Sequence, residues 1–210
     1  MIVAIDGPSG TGKSTVSRKV AELSGLPHLD TGAFYRAATL AALRVGVIDD
    51  DEIVEVVAGT DLDQQSGRMF LDTEDVTSEI RGDAVTAAVS AVAAIPRVRE
   101  MLVQHQRHWV AKHENRAVVE GRDIGSVVFP DAEVKIYLDA TPEVRARRRA
   151  AETDEPVDRV LDDIHRRNGL DSGRTASPLV VPMGAVVIDT SEMNFDEVVA
   201  EVMRHVRAKV

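Results

Sequence analysis

An open α/β fold is the architecture this sequence predicts, and three observations predict it. Short apolar runs of the buried-strand type recur at Ile2–Ile5, Leu26–Leu29, Ala117–Glu120, Val134–Asp139 and Ala185–Asp189. Helical patterns separate them. Between the first run and the first helix lies Gly7-Pro8-Ser9-Gly10-Thr11-Gly12-Lys13-Ser14, a match to the G-x-x-x-x-G-K-[ST] phosphate-binding loop in the strand–loop–helix frame that the motif needs.

The loop's chemistry follows from its residue types. Gly7, Gly10 and Gly12 leave room for successive backbone N–H groups to turn towards a polyphosphate, and the helix beginning at Ser14 and Thr15 adds its positive dipole end. Lys13 is suited to the β and γ phosphates, and the Ser14 hydroxyl to Mg²⁺. Val16, Val20 and Leu23 share the apolar face of that helix.

After Gly25-Leu26-Pro27, the second strand leads to Asp30-Thr31-Gly32. In open α/β folds ligands bind at the carboxyl ends of strands, so Asp30 and Thr31 are candidates for ligand contact. Either also suits the cap of a helix over about 33–44. Arg36, in the first turns of that helix, opposes the macrodipole unless an anion is near. Residues 49–58 place Asp49, Asp50, Asp51 and Glu52 ahead of an apolar stretch, which reads as a solvated helix start and not a calcium loop. Alternation over about 60–82, with Gly67 at a turn, predicts a small inserted β subdomain.

Helical patterning returns over 83–113, broken at Ile95-Pro96. His105, His108 and His113 lack a carboxylate partner pattern and read as surface histidines. A second polar cluster, Gly121-Arg122-Asp123, follows the third strand; Arg122 suits a phosphate, and the bland alternative is a structural Arg–Asp pair. Thr141-Pro142 starts a helix carrying Arg145, Arg147, Arg148 and Arg149, with Arg159, Arg166, Arg167 and Arg174 beyond it. A charge-mixed hairpin is usually a solvated surface. In a phosphate-binding protein, the collective reading is a lid around 150–170 that closes on the transferred group and excludes water. An amphipathic helix from about Phe195 ends the chain.

Composition sets bounds. The 210 residues are 44% hydrophobic, enough for one sizeable core with an insert, and contain no cysteine, which excludes disulfides and thiolate chemistry. A formal net charge of -10 argues against a nucleic-acid binder, so any anion site is local. Met1–Asp6 run straight into the first strand and no stretch has the apolar length of a membrane span, so the expectation is a cytoplasmic protein with no membrane and no obligate protein partner.

Four segments together carry a resemblance: Ile5–Ser14, Leu29-Asp30-Thr31-Gly32-Ala33-Phe34-Tyr35-Arg36, Pro96-Arg97-Val98-Arg99-Glu100 and Gly121-Arg122-Asp123-Ile124-Gly125-Ser126-Val127-Val128-Phe129-Pro130-Asp131-Ala132. Almost end to end, the chain resembles the bacterial cytidylate kinases. The resemblance implies a P-loop nucleoside monophosphate kinase fold with a five-stranded parallel core sheet. It implies a single kinase domain: a core (about 1–58, 83–148 and 175–210), an NMP-binding insert (about 60–82) and an Arg-rich lid (about 149–172). It implies transfer of the γ-phosphoryl group of ATP to CMP or dCMP, with Mg²⁺ required.

Residue by residue, Ser90, Arg99 and Asp123 match family positions that recognise cytosine, and Thr31 stands where the family often has serine. Arg36, Arg122 and Arg174 match arginines on the acceptor phosphate, and Arg167 and Asp171 the pair near the ribose hydroxyls. Arg145, Arg148 and Arg149 are the lid arginines expected to meet ATP, beside the loop residues 7–15. With Lys13, the arginines 36, 122 and 174 form the expected catalytic set.

The rival readings are a kinase for another nucleoside monophosphate or small metabolite, and a nucleotide-dependent switch ATPase. None of Asn115, Asn168 or Asn194 begins the N-K-x-D motif of a GTPase, while Asp139 after its apolar strand suits a Walker-B aspartate.

Overall fold

The apolar runs at 2–6, 117–121 and 134–139 form strands largely buried on both faces of a sheet, where an unbroken apolar sequence is needed, whereas Val187 in the last run is 53% exposed. The computed structural model describes residues 1–153, 156–162, 164 and 180–209. Its strands are β1 (Ile2–Asp6), β2 (His28–Asp30), β3 (Leu62–Gln65), β4 (Arg68–Leu71), β5 (Glu74–Asp75), β6 (Ala117–Gly121), β7 (Val134–Asp139) and β8 (Val186–Asp189). Its helices are α1 (Lys13–Ser24), α2 (Thr31–Val45), α3 (Asp50–Ala58), α4 (Asp83–Val92), α5 (Pro96–Lys112), α6 (Pro142–Thr153) and α7 (Phe195–Arg207). Among the described residues, β2-β6-β1-β7-β8 form a five-stranded sheet and β3-β4-β5 a three-stranded one. The β1–β6, β1–β7 and β7–β8 pairs are parallel.

The contacts divide the chain into two compact units, Met1–His28 with Asn115–Val210, and Leu29–Glu114. This partition groups α2 to α5 with the inserted sheet, a wider unit than the 60–82 insert read from sequence. Within it, Gln64 of β3 accepts from the Asp30 backbone N–H at 3.0 Å, and the Gln64 carbonyl accepts from the Trp109 indole at 2.8 Å. The small sheet is therefore bonded to its helices.

In the first unit, Val16 and Val20 of α1 and Val199 and Val202 of α7 join the core formed by Val3, Ile5, Ile136 and Leu138. Helix α7 begins with a reciprocal capping box: Asn194 Oδ1 accepts from the Glu197 N–H at 3.0 Å, and the Glu197 carboxylate accepts from the Asn194 N–H at 2.8 Å. Val160 and Ile164 pack with Ala146 and Ala150 of α6 in a smaller cluster.

In the second unit, β3 and β4 are joined by Ser66-Gly67, both with positive φ, the two-residue hairpin turn whose twist suits antiparallel strands. Arg44, late in α2, makes ion pairs with Glu74 of β5 and Glu79, tying the small sheet and the following turn to the helix. Asp49 caps α3 by accepting from the N–H groups of Asp51 and Glu52, as a solvated helix start requires. His113 stacks on Trp109 with ring centroids 3.8 Å apart, a local role at the end of α5. No helix among the described residues is long and apolar enough to cross a membrane.

One buried charge sets a constraint on the first unit. Asp6, at the end of β1, is fully buried and accepts from the backbone N–H groups of Ile124 at 2.7 Å and Gly125 at 2.8 Å. Burial raises its pKa to about 6, against the lowering effect of those two bonds; Asp123 adds to the rise and Lys13 opposes it. The native state therefore binds this proton more tightly than the unfolded chain. Its contribution to stability falls as pH rises from about 4, the unfolded value, towards 6, by up to about 3 kcal/mol. Urea denaturation of the protein and of Asp6→Asn at a series of pH values should show this as a difference that moves in the variant's favour over that window. A difference independent of pH would refute it.

Candidate active site

The phosphate loop runs from the end of β1 to the start of α1. Gly7 has φ 145°, and a Cβ there would overlap the Leu138 carbonyl oxygen of β7, so only glycine lets the loop leave the sheet at this point. Gly10 is similarly confined: a Cβ would stand 3.0 Å from the Arg145 backbone oxygen. The Thr11 hydroxyl and the Lys13 ammonium both donate to the Pro8 carbonyl, at 3.0 and 2.6 Å, which bends the loop back over itself. Thr15 is exposed, with its hydroxyl on the Gly12 carbonyl at 2.9 Å.

Ser14 has a partner that sequence reasoning missed. Its hydroxyl donates to Glu120 Oε2 at 2.8 Å, and Glu120 Oε1 lies 3.1 Å from His28 Nε2. Glu120 is 3% exposed and ends the apolar part of β6, adjacent to β1. Asp139, the residue read as Walker-B-like, is exposed and accepts from the Ala140 N–H at 2.9 Å. The carboxylate on the loop hydroxyl thus belongs to β6 and not to β7. The signal in the sequence, a carboxylate at the end of an apolar run, is shared by Glu120 and Asp139 and does not choose between them.

Just beyond β6, Ile124–Val128 form a single π-helical turn: the Val128 N–H donates to the Asp123 carbonyl at 3.1 Å and the Phe129 N–H to the Ile124 carbonyl at 2.7 Å. Such turns are rare and concentrate at functional sites. Asp123, at its start, is 4% exposed. Arg122 precedes it, and its charge acts on Tyr137 and Arg145. The Tyr137 hydroxyl is raised in pKa by burial and then by Asp139, while Arg122 opposes the rise.

The three arginines of α6 that were expected to meet ATP differ from one another in setting. Arg145 is 4% exposed and donates to the carbonyls of Ala140 at 3.1 Å and Ser9 at 3.2 Å, so its guanidinium braces the loop backbone. Burial lowers its pKa, and nearby Asp139 offsets part of that effect. Arg148 donates to the Thr190 hydroxyl at 2.9 Å and the Thr190 carbonyl at 2.6 Å, beyond β8. Arg149 is partly buried on the same helix. Arg167, Asp171 and Arg174 lie outside the described residues, as does much of the span read as a lid.

The second unit gathers the other expected groups. Asp30 caps α2 by accepting from the Ala33 N–H at 3.1 Å, which settles its capping role, and Thr31 is the first helical residue, 3% exposed. Arg36 donates to the Ile80 carbonyl at 3.1 Å and the Thr86 hydroxyl at 2.9 Å, linking α2 to the turn at 79–81 and to α4. Arg99 of α5 is 4% exposed, donates to the Ala93 carbonyl at 3.1 Å and stands over the Tyr35 ring at 5.2 Å. Ser90, in the last turn of α4, is buried. Tyr35 had no role in the sequence reading beyond its place in a motif; its ring lies under the Arg99 guanidinium carbon.

Chemically, the loop, Lys13 and the hydroxyl–carboxylate pair Ser14–Glu120 are of the kind that holds a polyphosphate with a hard divalent cation. Among the described residues no group of three or more His, Cys, Asp or Glu side chains is placed to hold a metal ion.

Comparisons with known proteins agree with this chemistry. The family model described as cytidylate kinase matches residues 3–208. The cytidylate kinase of Caldanaerobacter subterraneus subsp. tengcongensis is 48% identical over 98% of this chain and 94% of its own, and that of Mycobacterium leprae is 51% identical over 100% and 96%. Among solved structures, an uncharacterized protein from Eubacterium ventriosum superposes with a TM-score of 0.57 at 12% identity, over 99% of each chain. The protein TT1252 from Thermus thermophilus gives 0.51 at 19% identity, over 100% of this chain and 97% of that one. These two establish a shared fold. By the span of the family match and the identity to its curated members, this chain belongs to the cytidylate kinase family.

Proposed function

We propose that the protein is a cytoplasmic enzyme that phosphorylates CMP and dCMP to CDP and dCDP, using ATP with Mg²⁺ in an in-line phosphoryl transfer. The observation that carries the transfer chemistry is the Ser14 hydroxyl held by buried Glu120 at the mouth of the phosphate loop. The acceptor class rests on relatives of about half identity, named cytidylate kinases.

In this reading the loop amides and Lys13 hold the β and γ phosphates of ATP, and Arg145 keeps the loop backbone in shape from below. Ser14 and Glu120 would hold Mg²⁺, which would supply positive charge against the negative charge on the transferred group. Arg36, Arg122 and Arg174 hold the acceptor phosphate. Thr31, Ser90, Arg99 and Asp123 read the cytosine ring, whose amino group and ring acceptors need donors and acceptors that an apolar pocket lacks. Arg167 and Asp171 take the ribose, and Arg148 and Arg149 the ATP side. No general base is needed, because an acceptor phosphate is already a nucleophile and positioning with charge neutralisation supplies the catalysis.

The deciding experiment is a coupled assay across nucleoside monophosphates: CMP and dCMP should be the best acceptors, and their failure would sink the assignment. Lys13→Met should lower kcat by about 100- to 1000-fold while the thermal transition stays in place; near-normal turnover would contradict the loop's role. Asp123→Asn should reduce kcat/KM for CMP by about 10-fold or more with little change in ATP-analogue affinity. Equal losses for both nucleotides would count against base reading. Glu120→Gln should raise the Mg²⁺ concentration needed for tight ATP-analogue binding by about 10-fold, measured by titration without turnover; an unchanged requirement would remove Glu120 from the metal site.

A further inference from the structure

We propose that Asp6 is a positioning residue for phosphoryl transfer: through the Ile124 and Gly125 amides, it holds the segment carrying Arg122 and Asp123 in fixed relation to the phosphate loop. The roles of Arg122 and Asp123 rest on the reaction proposed above. The hold itself rests on geometry within one unit.

Asp6 is the last residue of β1 and the next residue, Gly7, opens the loop. Its Oδ1 accepts from the Ile124 N–H at 2.7 Å and its Oδ2 from the Gly125 N–H at 2.8 Å. One carboxylate therefore joins the start of the donor-binding loop to a turn more than a hundred residues away in sequence, at separations of 118 and 119. The register places Asp6 beside Gly121, so the chain leaves β6 next to this carboxylate and returns to it three residues later. Arg122 and Asp123 lie on the short excursion between, pinned at both ends.

The hold depends on ionisation. A carboxylate accepts on both oxygens at once, whereas a protonated carboxyl presents a hydroxyl to one of the two amides. The charged groups acting on Asp6 are Lys13, which favours the anion, and Asp123, which opposes it; Tyr137 on β7 also feels its charge. The hold is half lost at a pH of about 6, where Asp6 is half protonated, and is complete only well above it. Asn at this position keeps the shape and one acceptor, but turns an amino group towards an N–H.

The test begins with the substrate-free protein, ¹⁵N-labelled, titrated from about pH 5 to about pH 8. The amide signals of Ile124 and Gly125 should shift together with a midpoint near 6, and the same signals in Asp6→Asn should not titrate. At neutral pH that variant should lose about 10- to 100-fold in kcat with CMP while ATP-analogue affinity stays within about twofold. Amides that do not titrate in the unsubstituted protein would overturn the proposal. So would a variant of undiminished kcat, or one losing ATP-analogue affinity in step with turnover. Inactivity of the unsubstituted protein towards CMP would overturn the acceptor assignment instead, and the amide titration still decides whether Asp6 holds the segment.

Discussion

Parallel pairing of β1 with β6 on one side and β7 on the other brings Asp6, Gly121 and Tyr137 into one row. The arrangement of the first unit's functional groups depends on this register. Both faces of the central strands are covered, so their interiors accept only apolar residues and polar groups are confined to the ends. Alternation then sorts those ends between the faces. Ile5 and Glu120 are partners across the pair and so share one face of the sheet, on which Glu120 meets Ser14 of α1. Asp6 is directed the other way, to the turn at 124–125. A slip of β6 by one residue against β1 would turn Glu120 to the opposite face, away from Ser14.

Burial raises the stakes of each charge. Glu120, Asp6, Arg99 and Arg145 are nearly or wholly inaccessible, and each has hydrogen-bond partners at good distance. A buried ion without partners would be too costly to keep. With partners it becomes rigid, which suits a site that works by presenting fixed charges to a developing negative one. Three cations stand on defined backbone carbonyls: Lys13 on Pro8, Arg145 on Ser9 and Arg148 on Thr190.

The second unit applies the same economy to different groups. Arg36 is held by the Ile80 carbonyl and the Thr86 hydroxyl, and Arg99 by the Ala93 carbonyl and the Tyr35 ring. Gln64 connects the small antiparallel sheet to the N-terminal turn of α2, just before Thr31. The insert is thereby bonded to the start of the helix that carries Thr31 and Arg36, within the compact unit Leu29–Glu114.

Local features were legible in the residues. The phosphate loop, the Ser66-Gly67 turn, the helix break at Ile95-Pro96 and the five apolar strands depend on neighbours in sequence, so their spacing carries the information. Of the two readings of Asp30, cap or ligand contact, the cap is the one the structure shows. The carboxylate paired with Ser14 was not legible. Glu120 and Asp139 both close apolar runs, and the choice between them depends on the register with β1 and on the face each side chain takes. Ser14 and Glu120 are 106 residues apart, and Asp6 is 118 from Ile124. Short-range rules of backbone conformation and periodicity do not reach that far. By itself, then, the sequence determined the loop, its helix and the list of strands, whereas only the tertiary structure decided which carboxylate faces the loop hydroxyl and which one holds the turn, because both depend on the order and register in which strands distant in sequence pair.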